Sequence, residues 1–224
     1  MSNLRSNEQR AKNAILLIWI VFALEIISLI SSYFQYDLLS IVANGGEIST
    51  EAAEANDTRE QIIGVISIVL YLISIVTFIQ WFRRAYFNLH QKISDLSYSE
   101  GWAAGAWFVP IINLFRPYQI MNELYEKTRR LFLVRGVNTN LSTNFLGIWW
   151  ALRIINLIAG QFIYRYSMKA EFVDEVITAT IASMILNVVG IVLALITVKV
   201  IRDYAKEEPL LLTIDDNDER YSVK

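Results

Sequence analysis

Four long apolar runs constrain this chain more than any other feature. Residues 14–34, 62–82, 145–164 and 177–200 carry at most one charge each. At about 1.5 Å rise per residue, roughly 20 residues cross a hydrocarbon core of about 30 Å. In lipid, only helices and closed barrels satisfy their own backbone groups, so runs of this length and character point to helices. Hydrophobic side chains make up 54% of the 224 residues and mean hydropathy is +0.38, as in a multi-pass protein. The first run follows a basic start, as a signal peptide would. It is longer than the apolar region of about 7–15 residues in such a peptide, and no clear small-residue cleavage site follows. It reads as an uncleaved first span.

Lysine and arginine sort the connecting segments. Residues 1–13, 83–144 and those from 199 on hold 3, 8 and 5 of them, while the other two loops hold only Arg59, Arg165 and Lys169. Basic residues concentrate on the cytoplasmic side, so both termini are expected there. The loop 37–61, with six acidic residues and Arg59 as its one base, then faces outward. The same bias accounts for the bases as a whole, and nucleic-acid binding is not expected. Lys127, Arg129, Arg130 and Arg135 would attract anionic lipid heads.

Little in the chain points to catalysis. There is no cysteine and a single histidine, His90, which reads as an ordinary interface residue. No phosphate loop, nucleophile elbow or metalloprotease helix occurs. Glu207 and Glu208, like Asp215 and Asp216, read as solvating charge in a flexible tail. No cofactor or metal is expected. The glycosylation-type matches at Asn56 and Asn140 are weak.

The stretch GWAAGAWFVPIINLFRPY, residues 101–118, is too apolar for a surface loop and too short for a span. From Trp102 to Phe115 a helix would reach about 21 Å, and Pro110 would interrupt it. A fifth crossing would also invert the lysine and arginine asymmetry. A re-entrant or interfacial helical element on the cytoplasmic side is expected, turning at Pro110. Asn113 and Arg116, with Arg84 and Asn88 from the base of the second helix, are expected to satisfy its backbone. It reads either as a structural polar lock or as a ligand or partner site. Pro117 suits the first position of an amphipathic helix, residues 117–135. Met121, Leu124, Tyr125, Thr128, Leu131 and Phe132 form its apolar face and Gly136 its cap. Such a helix either lies in the membrane surface or packs on its neighbours.

Two charges fall inside spans. Glu25 lies about 17 Å and Arg153 about 12 Å into helices of the same direction. An unpaired charge at such depth costs at least about 2.5–3.5 kcal/mol. An ion pair between them is expected, with Asn156, Asn187 and Ser74 nearby. Its role is open: fixing helix partners and register, lining a proton or ion path, or, for Arg153, snorkelling beside Trp149 and Trp150.

WFRRAYFNL, residues 81–89, is followed by WFVPIINLFRPYQIMNELY, residues 107–125. Trp81, Phe82, Arg84, Tyr86 and Asn88, then Trp107, Phe108, Pro110, Asn113, Arg116, Pro117 and Tyr118, resemble the motif positions of an uncharacterised bacterial membrane family, domain of unknown function 4328. The resemblance extends over about 62–204 and leaves out the first helix, the acidic loop and the tail. It implies a multi-pass bacterial membrane protein and carries no activity.

The expectation is therefore an all-α integral membrane four-helix bundle with a cytoplasmic-side re-entrant or interfacial element. Residues 1–204 form one membrane domain and 205–224 a disordered cytoplasmic tail. The function expected is a non-enzymatic interaction or scaffold module in the bacterial inner membrane. The alternative is a small transporter or channel-like protein using the midplane polar cluster; an enzyme acting on lipid has no support. The bilayer is the first partner, with room for a protein partner at the cytoplasmic face and for a homo-oligomer.

Overall fold

The computed structural model describes residues 4–214. Six α-helices occur in it: α1 (Glu8–Ala43), α2 (Thr50–His90), α3 (Trp102–Gly105), α4 (Arg116–Val134), α5 (Asn144–Ser167) and α6 (Val173–Glu207). Two 3-10 turns, Ile112–Leu114 and Glu208–Leu212, complete the order, with no strand among the described residues. The fold is an all-α bundle. Four helices, α1, α2, α5 and the one from Val173 to Leu212, are long and apolar enough to cross a membrane. At 36 and 41 residues, α1 and α2 reach about 54 and 62 Å, well beyond a hydrocarbon core of about 30 Å.

The described chain divides into two compact units. The first comprises Ile18–Ile73 and Ala151–Leu195. Its large apolar side chains point outward: Ile27, Ile30, Val65, Ile68, Leu72, Ile158 and Ile185 are exposed, and Phe162 is 72% exposed. That is the arrangement lipid favours, since its tails are as apolar as leucine. At one end of this unit α1 and α2 are tied by polar groups. Arg59 donates through Nε to Ser31 Oγ (2.8 Å) and through Nη2 to Asn56 Oδ1 (2.6 Å), and Ser31 donates to Glu60.

The second unit gathers the residues up to Leu17, Ser74–Trp150 and the residues from Ile196 on. Here large side chains point inward. Trp81, Phe82, Tyr86, Leu89, Leu124, Phe132 and Tyr204 are fully buried. The α4 helix shows why. Ile120, Met121, Leu124, Tyr125, Thr128 and Phe132 recur at steps of one, three and four and are buried together, while Glu126, Arg129 and Arg130 stay exposed. Gly136, at φ 67°, takes the left-handed conformation that ends a helix without a Cβ penalty. The apolar face of α4 is covered by protein.

Two expectations need correction. The acidic stretch read as part of the loop 37–61 is mostly helical: α1 runs on to Ala43 and α2 begins at Thr50. Its sequence TEAAEANDTRE is rich in alanine and glutamate, which favour helix even when polar all round. The tail read as disordered from 205 is helical through Leu212, with Glu208, Leu211 and Ile214 buried. Leu210–Leu212 supplies apolar surface to bury, which an all-polar tail lacks. The rest of the expected tail, residues 215–224, lies outside the described residues.

Candidate functional site

The base of α2 is where buried polar groups converge. Trp81, Phe82, Ala85, Tyr86, Asn88 and Leu89 lie within one helical face and all are buried. Asn88 uses its whole amide. Its Oδ1 accepts the Arg5 backbone N–H at 3.0 Å, and its Nδ2 donates to the Arg5 carbonyl at 2.9 Å and to Glu208 Oε1 at 2.7 Å. Asn7 Nδ2 reaches both Glu208 oxygens, at 3.2 and 2.9 Å, and the Trp81 carbonyl at 3.2 Å. A carboxylate 8% exposed is thus held by neutral amides from two other parts of the chain. Hydrogen bonds to a charged group contribute roughly 1.5–3 kcal/mol each, whereas an unsatisfied buried charge is costly. Beside the junction lies a cavity of about 250 Å³, bounded by Leu4, Arg5, Asn7, Asn88, Glu208 and Leu211 among others.

Other residues of the motif blocks build further contacts in this unit. Tyr86 donates to Glu123 Oε2 at 2.6 Å and lies 3.1 Å from the Tyr98 carbonyl, tying α2 to α4. Trp81 packs on Tyr204 (centroids 6.3 Å apart) and Phe78 (5.5 Å). Tyr125 donates to the Val200 carbonyl, and burial pushes its phenol well above the ordinary tyrosine value.

The stretch 101–118 is broken, as Pro110 predicts. A single α3 turn is followed by a reversal at Pro110 and Ile111, a 3-10 turn and then α4 with Pro117 in its first turn. Ile112 N–H donates to the Pro110 carbonyl at 2.8 Å around Ile111, whose φ is 68° and ψ −52°. This is a γ-turn of the strained hand, rare for a β-branched residue. The tip is exposed and apolar, with Phe108 at 73% and Ile111 at 76%. Its root is aromatic: Trp107 meets Phe78 (5.4 Å), Phe82 (6.4 Å) and Trp150 (6.1 Å), and Tyr118 meets Trp150 (6.1 Å). Each such pair is worth about 0.5–1.5 kcal/mol beyond area burial.

The reversal is held in part by groups expected there, Arg116 and Asn113, and in part by Trp150. Trp150 Nε1 donates to the Leu114 carbonyl at 2.9 Å, and Arg116 lies over the rings of Tyr98 (4.5 Å), Phe115 (5.7 Å) and Trp102 (5.9 Å). Asn113 contributes its backbone N–H, bonded to the Val109 carbonyl at 2.9 Å. Asn88 turns instead to Arg5 of the N-terminal segment and to Glu208, and Arg84 lies beside Phe87 of its own helix (5.8 Å). Asn7 and Glu208 escape a sequence reading because their partners are 74 to 201 residues away. The one signal is Glu208 standing before Pro209 and three leucines.

The spans' polar residues separate. In the apolar unit the Glu25 carboxyl lies against α6: a Cβ added at Gly190 would sit 2.6–2.8 Å from its carboxyl atoms. Among the described residues Glu25 takes no hydrogen bond and no ion pair, so the expected pair with Arg153 is not formed. Tyr71 of α2 lies within electrostatic reach of both charges. Asn156 and Asn187 are half-buried, and Ser74 belongs to the other unit, where its carbonyl accepts from Thr77 Oγ1 at 2.9 Å. Depth along a helix says nothing of rotation about its axis, where each residue turns about 100°.

No curated protein and no solved structure matches the chain. The profile of the family described as domain of unknown function 4328 (DUF4328) matches residues 44–206. The match takes in both motif blocks and also the acidic stretch from residue 44, which the resemblance was expected to leave out. It contains Asn88 but neither Asn7 nor Glu208, so the buried junction is closed by residues on either side of the matched region. With α2 to α5 and α6 as far as Lys206 inside the match, the chain belongs to the domain of unknown function 4328 family.

Proposed function

We propose that this chain is a non-enzymatic inner-membrane protein, working in bacteria as an interaction or scaffold module with both termini cytoplasmic. The observation that carries this reading is the Asn7, Asn88 and Glu208 junction. It pins both ends of the described chain to the base of α2 through buried hydrogen bonds. The result is a fixed platform at the segments richest in lysine and arginine, with Glu126, Arg129, Arg130 and Leu133 of α4 left exposed for a protein partner or a second copy. Glu208, the buried carboxylate of this junction, is already occupied by amides. Its arrangement serves structure, not proton transfer. The test is affinity purification of the full chain in mild detergent, wild type against Arg129→Glu/Arg130→Glu. A defined partner set retained by the wild type and lost from the variant is expected; identical sets for both would contradict the reading.

A second reading, a small transporter or channel-like protein, draws on Glu25 alone. A carboxyl without a polar partner in an apolar unit is the kind of group that marks ion pathways. In proteoliposomes with an internal pH dye, it predicts proton or cation flux that Glu25→Gln abolishes. Flux absent from the wild type removes this reading.

A further inference from the structure

Arg5, Arg10, Arg83 and Arg84 line one cavity of about 170 Å³, together with Phe87 and Glu100. We propose that this cavity binds a phosphate group. The proposal stands on the pocket itself and is independent of the scaffold reading.

The cavity is rich in donors and poor in acceptors. Its single carboxylate, Glu100, accepts from Arg83 Nε at 3.1 Å. Arg10 gives one N–H to the Gln80 carbonyl, at 3.2 Å. The guanidiniums of Arg5 and Arg84 donate no hydrogen bond to protein among the described residues. They flank the same ring instead, at 4.7 and 5.8 Å from the Phe87 centroid. A guanidinium offers five N–H donors in a planar fork that matches phosphate oxygens two at a time. Four positive charges line a small space with one carboxylate, and even with Glu208 within electrostatic reach of Arg84 the cations outnumber the anions, so an added anion relieves their mutual repulsion.

The arrangement is built, not incidental. Arg5 is held by its backbone, whose N–H and carbonyl both bond the Asn88 amide. Arg83 and Arg84 stand on α2 directly after its apolar run, and Arg10 stands on α1 just before its own. A bias of basic residues toward one membrane side accounts for their number. It does not account for four of them, from segments more than 70 residues apart, converging on one cavity. The volume is below the roughly 300–1,000 Å³ of sites for drug-sized ligands, so a small anion or the phosphate of a larger molecule suits it. Next to the ends of two apolar runs, that phosphate is either a lipid headgroup or a soluble phosphate.

The test uses the purified full chain in a neutral detergent, with two probes. Native mass spectrometry measures retention of dioleoyl phosphatidylglycerol against phosphate-free dioleoylglycerol. Thermal unfolding measures the shift with sodium phosphate against sodium chloride at equal ionic strength. Selective retention of the first lipid assigns the site to a headgroup; a shift with phosphate alone assigns it to a soluble anion. In either case Arg5→Gln/Arg84→Gln should weaken the response by about tenfold or more, and Arg165→Gln/Lys169→Gln, at exposed bases away from the cavity, should leave it unchanged. Should the first variant misfold, Arg10→Gln carries the same expectation. The proposal is overturned if the wild type responds to neither probe, or if the pocket variant responds as the wild type does.

Discussion

Asn88 Nδ2 donates to Glu208 Oε1 at 2.7 Å, joining residues 120 positions apart in the sequence. Asn88 lies inside the region that the family shares and Glu208 lies outside it. One amide thus couples the matched core of the chain to its C-terminal extension, and through Arg5 to the N-terminal segment. The contact lies in the second unit alongside its aromatic packing.

Replacing Asn88 by alanine removes the Glu208 bond and both Arg5 bonds at once and leaves a buried carboxylate half satisfied. The loss should be about 2–3 kcal/mol. Asn88→Leu/Glu208→Leu should cost less than the sum of its single changes, by about 1–2 kcal/mol, since the bond between the two residues is counted in both single changes and lost only once in the double. Denaturant unfolding in detergent, followed by tryptophan fluorescence, reads both.

Glu25 and Gly190 form the tightest approach at a glycine in the apolar unit. Gly190→Ala should destabilise by about 1–2 kcal/mol, because the carboxyl must swing away from its place on α6. In Glu25→Ala/Gly190→Ala that penalty should vanish. Equal penalties in the presence and absence of Glu25, measured by thermal unfolding, would show that another neighbour sets the cost.

Ile111 holds φ 68° at the tip of the reversal. Glycine adopts this backbone without the Cβ clash, so Ile111→Gly should stabilise the protein in detergent by about 1 kcal/mol. Ile111→Ala, which keeps a Cβ, should give no such gain. The pair separates backbone strain from the loss of an apolar side chain.

What the sequence made legible was local. The four apolar runs, the break at Pro110 and the buried face of α4 follow from composition and from periods of three and four, and each appears where the residues place it. What stayed hidden depends on rotation and on distance along the chain. Glu25 and Arg153 share a depth, yet Glu25 faces Gly190, because depth does not fix the side of a helix on which a residue stands. Glu208 looked like one acid among many in the last twenty residues; only its partners, Asn7 and Asn88, distinguish it. Thr50–Gln61 looked like a loop because it is polar, whereas its alanines and glutamates prolong α2.

The junction also demands a topology. Asn7, Asn88 and Glu208 can meet only if the N-terminal segment, the base of α2 and the end of α6 lie on one side of the membrane. The chain has no cysteine, so each introduced thiol is unique. Single cysteines at the exposed positions Ser6, Ser97, Lys206, Glu47 and Lys169 give the most direct measurement, using a membrane-impermeant maleimide on intact and permeabilised cells. Positions 47 and 169 should label in intact cells, and positions 6, 97 and 206 only after permeabilisation. If any one of positions 6, 97 and 206 labels from the side opposite to the other two, the junction cannot form and the account fails.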